Sequence, residues 1–371
     1  MSTHACKRIA LLLLLALAGG ALFGAAPAAA QLGAPVTTAL GDRLERAVEA
    51  LRTHQDTSGV AGISAALAVD GRLVWTGGFG TANLETLVPM RAETVSRIGS
   101  ISKPVAGAAA MVLVDRGRLD LDAPVSRYVP GYPRPQGDRI TTRRLMSHTA
   151  GVRHYRGEEF ASAVRYDDVV APMAVFWADS LLFEPGTDYA YSTYGWTVVS
   201  AVTAAAAARP WVEVLRDEVV RPLGLLSLQP EWQDSLIPHR ASYYERTAEG
   251  WVNAPAVDNS NKWAGGGLVA TAADLVGFAL GLLEGRVLSE AARAESWRRQ
   301  TPEGESSYGL GWSVGELDGH RVVSHSGGSM GATAMLVVLP DDGIVVSVLG
   351  NTSNIGHAGI AARVARILLG L

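Results

Sequence analysis

Strand-like runs occur at the two ends of this 371-residue chain, and this distribution limits its possible folds more than any other feature. GISAALAVD and RLVWTGGFG lie near the start and are separated by Asp70-Gly71, a dipeptide typical of tight hairpins. YGLGWSVGEL, HRVVSHSGG, ATAMLVVLP and GIVVSVLG lie near the end. We therefore predict an α/β (α+β) protein in which one antiparallel sheet is built from both chain ends and flanked by helices.

Helical patterns surround these strands. Apolar residues recur at helical spacing over 39–55, SKPVAGAAAMVLVDRG predicts a buried helix that stops at Gly117, and a last helix is expected over about 358–369. Residues 118–265 mix prolines, aromatic residues and short helical patches, which indicates an inserted, mainly helical lobe. We expect one structural unit over 31–371, with a cleft between this helical lobe and an α/β lobe of about 39–117 and 266–371.

The first thirty residues are typical of an export signal. Lys7 and Arg8 precede an apolar run, and small residues lead to Ala28–Ala30 before Gln31, an A-x-A cleavage pattern. An uncleaved membrane anchor is the alternative, because the apolar run approaches the length that spans a bilayer. Glycines within the run and the alanine site favour cleavage. We expect residues 1–30 to be a signal peptide, the mature protein to be periplasmic or secreted, and no stable membrane insertion after cleavage.

Charge and cysteine content exclude several classes of function. The formal net charge is −4 and no basic cluster is present, so nucleic acid is not an expected partner. Cys6, the one cysteine, would leave with the signal peptide, so disulfides and thiol chemistry are not available to the mature chain. Because the mature chain has no cysteine and no H-x-x-x-H pair, we expect neither a metal site nor another cofactor.

The stretch GSISKP, residues 99–104, points to nucleophilic catalysis. Arginine supplies most of the positive charge, and Lys103 is one of only three lysines. Residues three apart share a helix face, so Lys103 can reach the Ser100 hydroxyl, and the helix start offers unpaired N–H groups to an oxyanion. A lysine buried among alanines can lose its proton and act as a base, whereas arginine essentially cannot. A capping serine beside a solvated lysine is the alternative, which the scarcity of lysine disfavours.

A second serine competes for the same role. Ser329 lies in GGSMG, which matches the G-x-S-x-G elbow of α/β-hydrolases, and Asp341 and His357 follow in the right order. That elbow needs a strand, a turn and then a helix, but a strand-like run that ends at Pro340 follows Ser329. We therefore favour Ser100 as the nucleophile.

Two further motifs follow S-x-x-K along the chain, Tyr191-Ser192-Thr193 and His325-Ser326-Gly327. The order S-x-x-K, Y-x-T, H-x-G resembles that of the serine β-lactamase and penicillin-binding protein superfamily, and the segments TTRRLMSHTAGVRHY and VDNSNKWAGGGLVATAADL agree. Within it the chain is most similar to the class C branch with its esterase and peptidase relatives, including the peptidase family of the mitochondrial β-lactamase-like serine protease. The resemblance spans roughly 39–371 and implies a β-lactamase/transpeptidase-like fold.

The resemblance also implies roles for the motif residues. Ser100 is expected to form an acyl-enzyme, and Lys103 and Tyr191 to share the proton transfers, with the identity of the base left open between them. The oxyanion hole is expected from the backbone N–H groups of Ser100 and Gly328. The expected substrate-binding residues are Thr193, His325, Ser326 and Gly327.

These motifs predict an exported serine hydrolase that cleaves amide, peptide or ester bonds through Ser100, with a small peptide, an ester or a β-lactam-like molecule as substrate. β-Lactamases usually have lysine where His325 stands and asparagine where Thr193 stands, so weak β-lactam hydrolysis is expected. If His325 binds an anionic group, acylation should improve towards pH 6. The alternative is a non-catalytic penicillin-binding-like module that binds peptides or peptidoglycan or assembles into oligomers. Intact Ser100, Lys103 and Tyr191 argue against that alternative.

Three other residues carry less information. His148 and His154 have no nearby carboxylate at ligand spacing, and we expect them to be structural. Lys262 is the other lysine of the mature chain. It either faces the cleft or pairs with an acid.

Overall fold

A computed structural model describes residues 38–371, so the predicted signal peptide over residues 1–30 lies outside the described residues. Short 3-10 turns join several elements, including Gly99–Ile101 directly before the second helix. In chain order the helices and strands are α1 (Thr38–Ser58), β1 (Gly62–Val69), β2 (Arg72–Asn83), β3 (Val88–Pro89), β4 (Ser96–Arg97), α2 (Ser102–Asp115), α3 (Gln136–Arg139), α4 (Thr142–Met146), α5 (Thr193–Ala207), α6 (Trp211–Leu215), α7 (Arg221–Leu223), β5 (Gln229–Pro230), β6 (Tyr244–Thr247), β7 (Gly250–Asn253), α8 (Trp263–Gly266), β8 (Leu268–Ala270), α9 (Ala272–Leu283), α10 (Glu290–Trp297), β9 (Ser313–Leu317), β10 (His320–Ser329), β11 (Ala332–Leu339), β12 (Ile344–Gly350) and α11 (Ala358–Leu369).

The main sheet has seven strands in the order β3-β2-β1-β12-β11-β10-β9. Neighbouring strands are antiparallel, and the centre of the sheet pairs the two ends of the chain, with Ile63 of β1 opposite Gly350 of β12. The hairpin between β1 and β2 turns at Asp70 and Gly71, which both have positive φ, the conformation that makes Asp-Gly favourable there. The predicted antiparallel sheet from both chain ends is confirmed.

Successive residues of β1 face opposite sides of this sheet. The odd-numbered residues from Ile63 to Val69 pack into a core with α1 and α11, whereas Ala66 and Ala68 belong to a second core that contains α2 and α9. Because both faces are covered, β1 is buried at every position, and its sequence shows no alternation of apolar and polar residues. Helices therefore flank the sheet on both sides, as predicted.

The first and last helices pack against each other in opposite directions. Near one end, Nη1 of Arg43 donates to the Leu368 carbonyl oxygen (2.7 Å). Near the other end, Nε2 of His54 and Nδ1 of His357 share a hydrogen bond (3.0 Å). The start of α1 and the end of α11 therefore lie at the same end of this helix pair.

The buried helix expected after Ser100 is α2. Every residue from Ser102 to Leu113 is buried, and the helix packs against α5, α8 and α10. It ends at Asp115, and Gly117 just beyond has a φ of +66°, typical of a helix C-terminus. Packing on all sides of α2 holds the preceding turn, which carries Ser100, in a defined position.

The region between α2 and α8 is mainly helical, but short strands that we did not predict occur in and around it. β4, β8 and β5 form a three-stranded sheet, and β6 and β7 form a separate hairpin. These strands are two to four residues long, and β8 pairs with partners that are distant in the chain, so no local alternation marks them. The boundaries between the two lobes stay predictions.

Apolar helices within residues 38–371 belong to the protein core. No single helix there is long and apolar enough to cross a membrane. α5 and the helical stretch from 211 to 223 have the required length and composition only as a pair, which is bent by 79°. Most residues of α5 are buried against other elements of the protein.

Candidate active site

A cleft of about 630 Å³ collects residues from several distant parts of the chain. Six of the predicted site residues line it, namely Ser100, Tyr191, Thr193, His325, Ser326 and Gly328. Lys103 is fully buried behind Ser100. Among residues 38–371, no three His, Cys, Asp or Glu side chains form a group that could hold a metal ion.

Lys103 is positioned to act on the Ser100 hydroxyl. Its Nζ lies 3.0 Å from Ser100 Oγ, 2.6 Å from the Gly265 carbonyl oxygen and 3.2 Å from Thr193 Oγ1. An uncharged amine has two N–H donors and one lone pair, so it can donate to Gly265 and Thr193 and accept the serine proton. Burial disfavours the charged form and holds the pKa of Lys103 well below its ordinary value. The geometry is that of a lysine able to deprotonate a serine.

Tyr191 contacts both of these groups. Its ring centroid is 4.7 Å from Lys103 Nζ. Burial raises the pKa of Tyr191, and the nearby Ser100 hydroxyl offsets part of that rise. Because the pKa of the lysine is lowered and that of the tyrosine is raised, the favoured pair is neutral amine and neutral phenol, not ammonium and tyrosinate. The electrostatics therefore favour Lys103 over Tyr191 as the base.

Two histidines that we expected to be only structural hold the Tyr191 segment in place. The Ser192 N–H donates to His148 Nδ1 (3.0 Å), and the Thr193 N–H donates to His154 Nδ1 (3.2 Å). Both rings also pack on Tyr191, with centroid distances of 4.2 and 5.6 Å. Burial lowers the pKa of both histidines, to about 4 for His154, so each keeps the lone pair that accepts the backbone proton. No local signal could reveal this role, because the backbone groups that the rings meet lie about forty residues away.

β10 runs directly against the turn that carries Ser100. A Cβ on Gly99 would come within 2.7 Å of the Gly328 nitrogen, and a Cβ on Gly327 would overlap the Ile98 carbonyl oxygen. Glycine at both positions permits this close backbone approach. The Ser100 N–H lies at a helix start, where it has no intrahelical acceptor, and Gly328 lines the same cleft.

Both ring nitrogens of His325 are bonded within the protein. It is buried, its Nδ1 donates to the Ser326 carbonyl oxygen (2.6 Å), and its Nε2 accepts from the Tyr308 hydroxyl (2.7 Å). Burial, with a smaller contribution from Lys103, lowers the pKa of His325 to about 3. The ring is therefore neutral at pH 6 and both nitrogens are occupied. The sequence suggested an acidic rise in acylation only if His325 binds an anionic group, and a pKa of about 3 argues against that condition near pH 6.

The remaining predicted residues differ in what they present to the cleft. Thr193 is buried and directs its hydroxyl at Lys103, whereas Ser326 is exposed on β10. Ser329 also lies in β10, opposite Ala332 of β11, so a strand and not a helix follows it. The geometry of an α/β-hydrolase elbow is therefore not present at Ser329.

Sequence comparison places relatives along nearly the whole described chain. A model of the β-lactamase family matches residues 44–370. The chain is 27% identical to the mitochondrial serine β-lactamase-like protein of Homo sapiens, over 89% of this chain and 80% of that relative. It is 30% identical to penicillin-binding protein 4 of Amycolatopsis lactamdurans, over 82% of this chain and 83% of that relative.

The fold agrees with these matches. A crystal structure of a D-stereospecific amidohydrolase from Streptomyces sp. superposes with a TM-score of 0.71 at 27% identity, and covers 90% of this chain and 98% of that one. The motifs S-x-x-K, Y-x-T and H-x-G meet in one cleft within this fold. Sequence and architecture therefore lead to one conclusion, that the chain belongs to the serine β-lactamase-like hydrolase family.

Proposed function

We propose that this protein is a serine hydrolase that cleaves amide, peptide or ester bonds through an acyl-enzyme on Ser100. One observation carries the proposal: the buried amine of Lys103 lies 3.0 Å from the Ser100 hydroxyl. None of the three hydrogen-bond partners of that amine is a carboxylate, so an ion pair does not account for its burial. A neutral lysine beside a serine is what a general base for acylation requires.

The proposed reaction begins when Ser100 Oγ attacks the substrate carbonyl carbon while its proton passes to Lys103 Nζ. The N–H groups of Ser100 and Gly328 donate to the oxygen of the tetrahedral intermediate, where losing one donor costs on the order of 10²–10³ in rate. The Tyr191 hydroxyl then donates its proton to the leaving nitrogen or oxygen and regains one from Lys103 Nζ, while the bond between the carbonyl carbon and the leaving atom breaks. Water then attacks the acyl-enzyme, and the same groups release the acid and restore Ser100.

Two features support amide or ester substrates of small size. The cleft volume of about 630 Å³ is in the range of small-molecule sites. The Streptomyces relative is named a D-stereospecific amidohydrolase, and another relative is named a penicillin-binding protein. Peptide-like amides with a D-amino acid are therefore the first substrates to assay.

Covalent labelling with a fluorophosphonate tests the proposed nucleophile. We expect wild-type protein and the Ser329→Ala variant to be labelled equally, and the Ser100→Ala variant not to be labelled. Ser329 is the matched control because it lines the same cleft. Equal labelling of wild type and Ser100→Ala would refute the role of Ser100. No labelling of any form, together with binding of peptides or peptidoglycan, would favour the non-catalytic alternative.

We propose that hydrolysis of β-lactams is weak. The neutral His325 offers no cation to a β-lactam carboxylate, and Thr193 directs its hydroxyl at Lys103. Contacts of this kind are worth about 1–3 kcal/mol each when a buried partner is left unpaired, so the loss of two corresponds to about a hundredfold or more in kcat/KM. Turnover of a chromogenic cephalosporin measures this directly. Turnover at the level of a resistance enzyme would refute the proposal.

We also propose that the protein is exported, on the basis of the basic, apolar and small-residue pattern over residues 1–30. The mature protein is then expected to begin at Gln31 and to be recovered from the periplasm or the medium. N-terminal sequencing of the protein isolated from each cell fraction tests this. Recovery of the chain with its first thirty residues in the cytoplasm would contradict export.

A further inference from the structure

Lys262 places a second lysine head group in the cleft wall, apart from the groups that act on Ser100. Its Nζ donates to the Phe160 carbonyl oxygen (3.1 Å) and lies 5.6 Å from the ring centroid of Tyr155. An ammonium group has three N–H donors, and this is the one hydrogen bond that Lys262 makes within residues 38–371. Two donors therefore remain for a ligand in the cleft.

The carboxylates nearest to Lys262 are engaged by other groups. Glu231 accepts from Nε of Arg97 (2.8 Å), and Asp258 accepts from the Ser260 N–H (2.9 Å). Within the described residues the carboxylate of Glu231 forms its ion pair with Arg97. The sequence left open whether Lys262 faces the cleft or pairs with an acid. Among the described residues Lys262 lines the cleft and forms no ion pair with a carboxylate.

Lys262 is charged at neutral pH. Burial, together with the charge of Arg97, lowers its pKa to about 8, so most of the amine is still protonated at pH 7. The two histidines that line the cleft, His154 and His325, have pKa values of about 4 and about 3 and are neutral there. Among the described residues that line the cleft, Lys262 is therefore the one cationic side chain at pH 7.

The path from Lys262 to the nucleophile indicates which part of a substrate it meets. A Cβ on Gly266 would lie 3.9 Å from Lys262 Cδ and 3.8 Å from the carbonyl carbon of Gly99, so one residue separates the lysine stem from the nucleophile turn. The acyl part of a substrate is the part that becomes bonded to Ser100 on this turn. Lys262, one residue away from the turn, is therefore within reach of groups carried by the acyl part.

We propose that Lys262 determines specificity by binding a carboxylate carried by the acyl part of the substrate. Preferred substrates are then amides or esters of dicarboxylic or acidic amino-acid acyl groups. The inference rests on the hydrolase function proposed above. The cation supplies the recognition, and the aromatic rings of Tyr155 and Phe160 shield it from water, which strengthens its attraction for an anion.

Two matched esters test this proposal, mono-4-nitrophenyl glutarate and its neutral analogue 4-nitrophenyl valerate, with spontaneous hydrolysis subtracted. We expect wild-type kcat/KM to be at least tenfold higher for the glutarate. In Lys262→Met, which keeps the length of the side chain, we expect the glutarate value to fall at least tenfold, mainly through KM, and the valerate value to stay within twofold. Lys262→Gln provides a second variant with a polar head group.

Two further measurements separate the outcomes. Binding of monomethyl glutarate to Ser100→Ala, measured by calorimetry, should weaken at least tenfold when Lys262→Met is added, and this readout needs no turnover.

Hydrolysis of the valerate through Ser100 without any preference for the glutarate would overturn the inference and leave the hydrolase function intact. If neither ester is hydrolysed but monomethyl glutarate binds in a way that depends on Lys262, the hydrolase function is refuted and the anion site is supported. In 4-acetoxybenzoate the carboxylate is on the leaving group. If Lys262→Met lowers kcat/KM for this ester but not for the glutarate, the assignment to the acyl part is overturned.

Discussion

At the scale of single residues, the proposed chemistry depends on an amine whose pKa is lowered by burial. Lys103→Arg retains positive charge and similar length, but a guanidinium does not accept a proton near neutral pH. We expect this variant to lose more than nine-tenths of the turnover of a short ester, and Lys103→Met to lose as much. Circular dichroism and thermal melting check that both remain folded. Retention of more than a tenth of the activity by the arginine variant would reduce Lys103 to an electrostatic accessory.

The lowered pKa of Lys103 also makes stability depend on pH. Between this lowered pKa and the value of 10.5 in the unfolded chain, the unfolded state binds one more proton than the folded state, so stability rises with pH. We therefore compare the free energies of unfolding of wild type and Lys103→Met. The value for wild type minus the value for the variant should increase from pH 7 to pH 10, by at most about 1.4 kcal/mol per pH unit. Urea denaturation at several pH values measures it. A pH-independent difference would mean that the folded protein holds a charged lysine.

The state of His325 removes the basis for the acidic rise that the sequence suggested on the condition that His325 binds an anionic group. With a pKa of about 3 and both ring nitrogens occupied, His325 gains no charge between pH 7.5 and pH 6. Lys103 can only gain a proton as the pH falls, and protonation removes the lone pair that would accept the Ser100 proton. We expect kcat/KM for a neutral ester to stay level or decrease, and not to increase, over this range. A rise towards pH 6 that is abolished in His325→Asn would contradict the structure.

At the scale of elements, the contact between β10 and the nucleophile turn depends on one of two adjacent glycines. A Cβ on Gly327 would overlap the Ile98 carbonyl oxygen, whereas a Cβ on Gly328 meets nothing within 4 Å. Gly327→Ala should therefore push the strand away from Ser100, and reduce both the melting temperature and the rate of fluorophosphonate labelling. Gly328→Ala is the matched control and should melt like wild type. Equal melting temperatures for the two variants would show that the turn can move to accommodate a Cβ on Gly327 at little cost in stability.

The contact between α1 and α11 makes stability sensitive to acid. Burial lowers the pKa of His357 to about 3, so the unfolded chain binds more protons than the folded protein below pH 6.5, and stability falls as the pH falls towards 3. In His357→Asn, which retains a polar group near the position of Nδ1, this loss should be smaller. His239→Asn, at an exposed histidine, is the control and should follow wild type. Identical acid profiles for all three proteins would contradict the prediction.

Much of the fold could be predicted because its signals are local. The Asp70-Gly71 turn needs only two residues in the left-handed region, and α11 spans Ala358–Leu369, the bounds that its apolar spacing indicates. The spacing of Ser100 and Lys103 is local in the same sense, because a helix turn determines it. Features of this kind follow from neighbouring residues and do not depend on the rest of the chain.

The parts of the site that could not be predicted arise from tertiary contacts. His148 bonds a backbone group forty-four residues away, and Tyr308 meets His325 seventeen residues away across the cleft. Burial determines the charge states of Lys103 and Lys262, and burial is a property of the packed protein. Sequence reasoning therefore proposed the reacting groups but could not identify the residues that position them or the burial that shifts their pKa values.

At the scale of the whole molecule, the two ends of the described chain meet in the antiparallel pair of α1 and α11. Leu368, near the end of the chain, bonds Arg43, near the start of α1. A flexible linker of about six residues, with a mean span of about 13 Å, should therefore join residue 371 to residue 38. With new termini in the exposed turn at Gly285–Arg286, we expect this circular permutant to fold and to be labelled at Ser100. A soluble but unlabelled permutant would mean that the original termini are needed to align the cleft.

The pairing of Ile63 with Gly350 also determines when activity can arise during synthesis. β10, which carries Gly328, is joined to β1 only through β11 and β12, so the sheet lacks its centre until the last strand has left the ribosome. Contacts between such distant residues form slowly, and unpaired strand edges stay exposed in the meantime. A nascent chain therefore exposes unpaired strand edges, to which chaperones and proteases can bind, until β12 pairs with β1. The activity proposed for Ser100 can arise only after that pairing.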